Sequence, residues 1–447
     1  MQIVIIGGDA AGMSAAMQIR RRQPEWKITV FEKGENTSYG ACGIPYYFSG
    51  DVESLDKLVV ISPEGFRKKG VDVQTGHEVI AIDPDQKQVS VRTPEGTDIT
   101  QSYDKLLIAT GAKAIVPSVW PGLELEGVLT VKTLADSRKL EALLQTGRKK
   151  AVIVGAGYIG LEMAEGLKKR GLEVTVLEKL PGVMGNLHPG ITEKVAAELA
   201  AHEVNLHLNV TVQGFEGQNG SVTQVLTDQG AFDADLVVIS LGVRPNLDFL
   251  KDSGIPLGAT GALAVNAQQE TGKADIYAAG DCAESFHRII EKPVFIPLAL
   301  TANRQGRVAG ANICGDQDSF PGVLGSAVTK VFDYVIARTG IDTATAEREG
   351  IPYKTAEAKA PAKAHYYKGH GEVWVQLIYH AETLRLLGAL MAGTDESLGK
   401  RSDIVATALS AGMSVIELSD LDLSYAPPFA PVWDPILQAA NKARFSV

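Results

Sequence analysis

Residues 3–22, IVIIGGDAAGMSAAMQIRRR, and residues 151–171, AVIVGAGYIGLEMAEGLKKRG, repeat one plan at widely separated positions: an apolar strand, a glycine turn, a helix. Each leads to a second strand that ends in an acid, ITVFEK (28–33) in Glu32 and VTVLEK (174–179) in Glu178. The later copy carries all three glycines of a GxGxxG turn, Gly155, Gly157 and Gly160. The earlier copy has Gly7 and Gly12 but Asp9 at the middle position, which brings a side chain to where phosphates would lie. The physical logic is that of a dinucleotide site. A glycine turn lets backbone N–H groups approach a pyrophosphate at a helix N-terminus, and the acid receives ribose hydroxyls. One such motif is also explained by a tight strand-to-helix turn; two copies, each with its acid, are not.

Two folds of this kind imply two dinucleotides, and the simplest pairing is a held flavin, FAD, with an exchanging nicotinamide, NADH or NADPH. YDKLLIATGA (103–112) reads as a buried strand closing on small residues, and ADIYAAGDCAE (274–284) as another that ends at Gly280 and Asp281. An acid so placed can receive a ribityl hydroxyl. The expected fold is therefore α/β, with two Rossmann-like domains: a flavin domain over 1–112 and 245–322, and a nicotinamide domain over 113–244 inserted within it. From 323 to 447 the patterning changes. VTKVFDYVIARTG (328–340) and EVWVQLIYHAETLRLLGALMAG (372–393) alternate as antiparallel strands, and SDIVATALSAGMSVIELSDL (402–421) reads helical, giving a C-terminal α+β domain without a nucleotide signature.

Composition bounds the rest. The 447 residues suffice for roughly three domains. With 45% hydrophobic and 21% charged residues, the chain suits large cores. A formal charge of −10 provides no basic field for nucleic acid. The apolar strand begins directly after Met1, and no apolar run reaches spanning length, so a cytoplasmic protein without a membrane partner is expected. Three cysteines, Cys42, Cys282 and Cys314, are too few and too scattered for a disulfide framework or a cysteine zinc site, and no metal is expected. A lone cysteine is most often an inert small hydrophobe. Cys42, in SYGACGIPYYFSG (38–50), has no CxxC or Cx4C partner, which excludes an ordinary intrachain dithiol there.

These segments, with YAPPFAPVWDP (425–435), resemble the pyridine nucleotide-disulfide oxidoreductases along essentially the whole chain. Within them the chain is similar to the single-cysteine branch of coenzyme A disulfide reductases, NADH oxidases and NADH peroxidases. The resemblance implies that the C-terminal domain forms a homodimer and that Cys42 is the redox centre beside the flavin, its pKa lowered by flavin and helix-terminal dipoles. Cys42 then alternates between thiolate and a mixed disulfide with coenzyme A, while Cys282 and Cys314 are structural. Cofactor contacts carried over are Gly7, Asp9, Ala10, Ala11, Gly12, Glu32, Lys33, Val79, Ala109, Thr110, Gly111, Asp281, Ala299, Gly155, Gly157, Tyr158, Ile159, Gly160, Glu162, Glu178 and Gly242.

Tyr367, in AHYYKG (364–369), and Tyr425 match tyrosines that reach the cysteine of the partner subunit and donate a proton to the leaving thiolate. A bland reading makes them core-edge packing. Coenzyme A contacts carried over are Ser14, Gln18, Arg21, Ser38, Lys69 and Asn303. The basic runs Arg20–Arg21–Arg22 and Arg67–Lys68–Lys69 offer cations for its phosphates, although such runs are usually solvated faces.

Three departures leave the acceptor open. Ala10 stands where the oxidases and peroxidases place a histidine, Ala41 where some relatives have asparagine before the cysteine, and Asn303 where some have histidine. Coenzyme A disulfide, coenzyme A persulfide, polysulfide and oxygen are the acceptors to weigh, with a reductase of a protein electron carrier as a more remote alternative. No rhodanese-like module follows Val447, so any sulfur-transfer partner is expected to be separate. Glu178 favours a free ribose hydroxyl, hence NADH, beside a Lys179 able to tolerate a phosphate. At equal concentrations NADH is expected to reduce the protein faster than NADPH; a strong preference for NADPH in stopped-flow traces would contradict that role of Glu178.

Overall fold

The computed structural model describes residues 1–185 and 187–445. The first glycine motif lies in a five-stranded parallel sheet of order Ile276–Ala278, Lys105–Ile108, Gln2–Ile6, Lys27–Glu32, Asp72–Thr75. Its central strand is buried on both faces, with Ile3, Val4 and Ile5 fully inaccessible, as expected of a parallel sheet covered by helices. The strand Ile276–Ala278 joins this sheet from beyond the second motif.

The second motif builds a parallel sheet of its own, ordered Val204–His207, Glu173–Leu177, Lys150–Val154, Leu236–Ile239, Val128–Leu129. Small three-stranded antiparallel sheets, Glu78–Asp83 with its neighbours and Val212–Gln218 with its own, accompany the two parallel sheets.

The C-terminal strands form one antiparallel sheet, ordered Ala327–Val331, Tyr334–Gly340, Leu386–Gly393, Glu372–His380, Tyr353–Pro361. Leu386–Gly393 is buried throughout, and the helices Leu398–Ala411 and Pro435–Phe445 share a core with the sheet. The stretch 402–421, read as helical, is carried by two helices, Leu398–Ala411 and Val415–Ser419. Gly412, at φ +71°, ends the first in the left-handed conformation that glycine adopts freely. Ser414 and Glu417 form a reciprocal capping box that opens the second.

Two close approaches fix the region around Cys42. The helix Ala10–Arg22 crosses Ala299–Ile313 at glycines: a β-carbon at Gly306 would stand 2.1 Å from the Ala11 carbonyl oxygen, and one at Gly310 2.8 Å from that of Ala15. The short helix Ile44–Phe48 lies on Tyr158–Lys169, where a β-carbon at Gly166 would be 3.0 Å from Phe48 Cβ. The same helix is tied to the C-terminal sheet, because the buried Glu165 carboxylate accepts the Phe332 N–H at 2.9 Å.

Gly306→Ala places a methyl group against backbone rather than a yielding side chain. It is expected to cost about 1–3 kcal/mol, the usual range for an overpacked core, and to lower the thermal midpoint in calorimetry. An unchanged midpoint would contradict the close crossing.

Candidate functional site

The two glycine turns agree atom by atom. Gly7 and Gly155 take φ of +106° and +108°, and a β-carbon on them would stand 2.2 Å from Ala109 O and 2.4 Å from Ser240 O. At Gly12 and Gly160 a β-carbon would be 2.0 Å from the carbonyl oxygens of Gly7 and Gly155, respectively. The middle position differs. A β-carbon at Gly157 would meet nothing within 4 Å, so the chain itself leaves room there, and Asp9 uses the equivalent position. Asp9 sits at the N-cap of the helix Ala10–Arg22, but its carboxylate accepts the Tyr39 N–H at 3.1 Å. Burial pushes Asp9 up to about 6; the Tyr39 bond opposes this and the Glu32 charge adds to it. Asp9 thus ties the first glycine turn to the segment bearing Cys42.

Both acids brace their turns. Glu32 accepts the N–H of Gly8 at 2.7 Å and of Gly34 at 2.6 Å, and Glu178 accepts those of Ala156 and Leu180 at 2.8 Å each. Each carboxylate oxygen retains acceptor capacity for ribose hydroxyls. Ala10, Ala11 and Gly12 form the first turn of one helix and Tyr158, Ile159 and Gly160 that of the other. Ala109 donates to Ile6 O at 2.8 Å, Thr110 Oγ1 to Asn246 O at 2.9 Å, and Gly111 O accepts from Asn246 N at 3.0 Å.

Half-buried Asp281 follows Gly280, whose N–H donates to the buried Gln305 at 2.8 Å on the helix that begins at Ala299. Burial raises Asp281, with Lys132 opposing. Gly242, at φ +93°, accepts the Ile115 N–H. Lys33 pairs with Glu78 at 2.7 Å near the solvent, and Val79 is buried in the adjoining strand. The paired cradles, the braced acids and the half-buried Asp281 fit two dinucleotides.

Cys42 lies in the 3-10 turn Ala41–Gly43, which runs into Ile44–Phe48. It is exposed, whereas Cys282 is inaccessible, with its Sγ 3.3 Å from the carbonyl oxygens of Ile108 and Ala279, and Cys314 is half-buried. Burial pushes Cys282 up to about 11 and raises Cys314.

The lowering expected at Cys42 rests on flavin and helix-terminal dipoles; the chain's own groups act in the other direction and raise the thiol. Cys42 is open to solvent at its surface but packed closely beneath, and this desolvation leads, followed by the charges of Glu162 and Asp281; Asp9 adds and Lys132 opposes. A single helical turn after the cysteine provides too little dipole to reverse three carboxylates.

Glu162, carried over as a cofactor contact, is the charge that most disfavours the Cys42 thiolate. It accepts Thr329 Oγ1 at 2.8 Å and the Tyr46 hydroxyl at 3.4 Å, and burial raises its pKa. Burial and Glu162 raise Tyr46 in turn. Tyr46, Thr329 and Lys132 escaped the sequence reading. Lys132 alone had a legible signal, since it directly precedes the Thr133–Asp136 capping box.

The coenzyme A candidates divide. Ser14 Oγ donates to Asn303 Oδ1 at 2.7 Å, and buried Gln18 lies one turn further along the same helix. Among the described residues Arg21 bonds only the Met17 carbonyl, at 3.0 Å, and stays exposed, as does Lys69. The bland reading holds for Arg20, which caps the carbonyls of Pro24, Trp26 and Gly70, for Arg22, paired with Asp316, and for Lys68, paired with Glu64. Ser38 adopts φ +47°, an uncommon conformation for a side-chain-bearing residue, and donates its N–H to Gly8 O.

Tyr367 and Tyr425 are 41% and 47% exposed and so are not core-edge packing. Their segments are joined by Ala364 N donating to Pro427 O at 3.3 Å, and the neighbouring Tyr366 raises the pKa of the Tyr425 hydroxyl. Among the described residues no hydrogen bond joins either tyrosine to Cys42. Exposed Phe429, Val432 and Trp433 adjoin Tyr425 in sequence. No helix among the described residues is long and apolar enough to cross a membrane.

The profile of the family described as pyridine nucleotide-disulphide oxidoreductase matches residues 1–306, and that of its dimerisation domain matches 326–435. The chain is 39% identical over 447 residues to the NAD(P)H coenzyme A polysulfide/persulfide reductase of Pyrococcus horikoshii, covering 99% of this chain and 98% of that one. It is 32% identical over 448 residues to the coenzyme A disulfide reductase of Staphylococcus aureus, covering 99% and 100%. Its fold matches a NAD-dependent persulfide reductase from A. fulgidus with a TM-score of 0.96 at 37% identity, over 100% of this chain and 83% of that one.

Glu162→Gln removes the largest charge opposing the Cys42 thiolate. The pH midpoint of Cys42 alkylation, followed by peptide mass mapping of the reduced protein, is expected to move down. A midpoint that stays or rises would show that Glu162 does not act on the thiol.

Proposed function

The chain belongs to the pyridine nucleotide-disulphide oxidoreductase family, which works with FAD and NAD(P)H, and from that premise we propose that it reduces coenzyme A disulfide or coenzyme A persulfide through Cys42. The observation that carries the reading is the exposed Cys42, joined through Asp9–Tyr39 to one dinucleotide turn and set beside Glu162 on the helix of the other. The relatives named for coenzyme A disulfide and persulfide reduction support it across nearly their whole lengths.

Bound FAD supplies a two-electron path from NAD(P)H. The chain contributes the sulfur chemistry. The Cys42 thiolate attacks one sulfur of coenzyme A disulfide; a Cys42–S–S–coenzyme A bond forms, the substrate S–S bond breaks, and one coenzyme A thiolate leaves with the electron pair. Two electrons and one proton then convert the mixed disulfide to the Cys42 thiolate and a second coenzyme A thiol. One cysteine suffices because the other sulfur belongs to the substrate. With a persulfide, the same attack on the outer sulfur releases coenzyme A and leaves a sulfur on Cys42, which two electrons and protons discharge as hydrogen sulfide.

In this reading Ser14, Gln18, Arg21, Ser38, Lys69 and Asn303 hold coenzyme A, with Arg21 and Lys69 meeting its phosphates. Residues 1–112 and 245–322 carry the flavin, 113–244 the nicotinamide, and 323–447 pair two copies in a cytoplasmic homodimer, so that Tyr367 and Tyr425 from a second copy donate the proton to the leaving thiolate. The exposed apolar side chains of Phe429, Val432 and Trp433 support burial of that face against another copy. Ala10, lacking a titratable group beside Cys42, argues against peroxide or oxygen as the main acceptor.

Intact mass under non-reducing conditions, with peptide mapping, is expected to find coenzyme A on Cys42 of the purified protein. Cys42→Ser is expected to lose the adduct and disulfide turnover while NADH still bleaches the flavin. Disulfide turnover retained by the serine variant would rule the cycle out.

A further inference from the structure

Two loops carry the candidate proton donors, Tyr367 and Tyr425, and neither lies in a regular element. The first is closed at its base by Ala362, whose N–H bonds the carbonyl oxygens of His370 and Gly371 at 2.9 Å. The second turns at Ala426–Ala430 and ends at Asp434, which opens the helix Pro435–Phe445 by accepting the Ile436 N–H at 3.0 Å. Arg401, on the helix Leu398–Ala411, lies beneath both.

Its guanidinium is 5% exposed and uses all three nitrogens. Nε donates to Asp434 Oδ2 at 2.8 Å, one terminal nitrogen donates to the Ala362 carbonyl at 2.7 Å, and the other donates to Ser397 Oγ. Asp434 is itself 8% exposed at its side chain, so the pair is shielded from solvent. A planar fork of donors fixes the direction of each acceptor as well as its distance. A buried ion pair contributes little to stability beyond apolar packing of the same volume, which makes geometry the better reason for an arginine here.

We infer that Arg401 is a positioning residue for the disulfide step, one buried fork that sets the bases of the Tyr367 and Tyr425 loops relative to each other. The inference rests on the proposed proton-donor role of those tyrosines, yet its structural half can be read separately. Arg401→Lys keeps the charge opposite Asp434 but provides a point donor that cannot hold three acceptors in fixed directions.

Hydrogen exchange and half-reaction kinetics of the flavin-loaded protein test it together. In Arg401→Lys, amide exchange in 363–370 and 425–433 is expected to rise, while Leu386–Gly393 keeps wild-type protection and NADH reduces the flavin at the wild-type rate. The disulfide half-reaction is expected to slow by about ten- to a hundredfold, the scale of a misplaced catalytic group. Adding Tyr425→Phe is expected to slow it little further, since both changes remove one function.

Unchanged exchange in the two loops, a rise that extends to Leu386–Gly393, or losses that multiply in the double variant would each overturn the inference. Looser loops with wild-type disulfide turnover would keep the anchor but overturn its positioning role in the disulfide step, whereas wild-type turnover in Tyr425→Phe alone would remove the proton-donor reading. If the lysine variant does not fold, Asp434→Asn, which retains shape but loses the charge, is read by the same criteria.

Discussion

A β-carbon at Gly7 would stand 2.2 Å from the Ala109 carbonyl, and one at Gly12 2.0 Å from the carbonyl of Gly7 itself. The first sheet, its leading helix and the chain emerging from LLIATGA converge where no side chain fits. The second sheet repeats the constraint at Gly155 and Gly160, with Ser240 in place of Ala109. Once these crossings are set, the helix N-termini, the braced acids Glu32 and Glu178 and the half-buried Asp281 have little freedom of placement. The acids then contribute twice, organising their own turns and keeping lone pairs for a ligand.

This economy explains what could be read from the chain. Glycine crossings leave a periodic mark in sequence, so the repeat and the run of buried strands were visible, and the two parallel sheets appear as expected. Asp9 was visible as an irregularity but not as a function, because its partner, the Tyr39 amide, lies on another loop. The helical reading of 402–421 holds but does not locate the break at Gly412 and Ser414, whose capping roles depend on the turn between them. Arg401 left no local trace, and Glu162 was marked only as a cofactor contact, not as a charge acting on Cys42. Apart from Ser397, one turn before Arg401, their partners come from segments far apart, and only folding brings Ala362 and Asp434, or Tyr46 and Thr329, to one side chain.

The thiol shows how placement and electrostatics can disagree. Cys42 is exposed beside the Tyr39 segment of the first glycine turn, yet burial of its surroundings and the charges of Glu162, Asp281 and Asp9 favour its protonated form, with Lys132 opposing. Chain-borne charge therefore holds the free thiol back.

The helix Tyr158–Lys169 begins at the second glycine turn, carries Glu162 beside Cys42, gives up a side chain at Gly166 to admit Phe48, and holds the C-terminal sheet through Glu165 and Phe332. Three folding units therefore share one piece of secondary structure. Recombination between relatives cannot treat the inserted nucleotide unit as an interchangeable cassette, because Thr329, Phe332 and Phe48 would have to travel with it. Exchange of that unit must carry a matching seam, whereas changes confined to single residues around Glu178 need not.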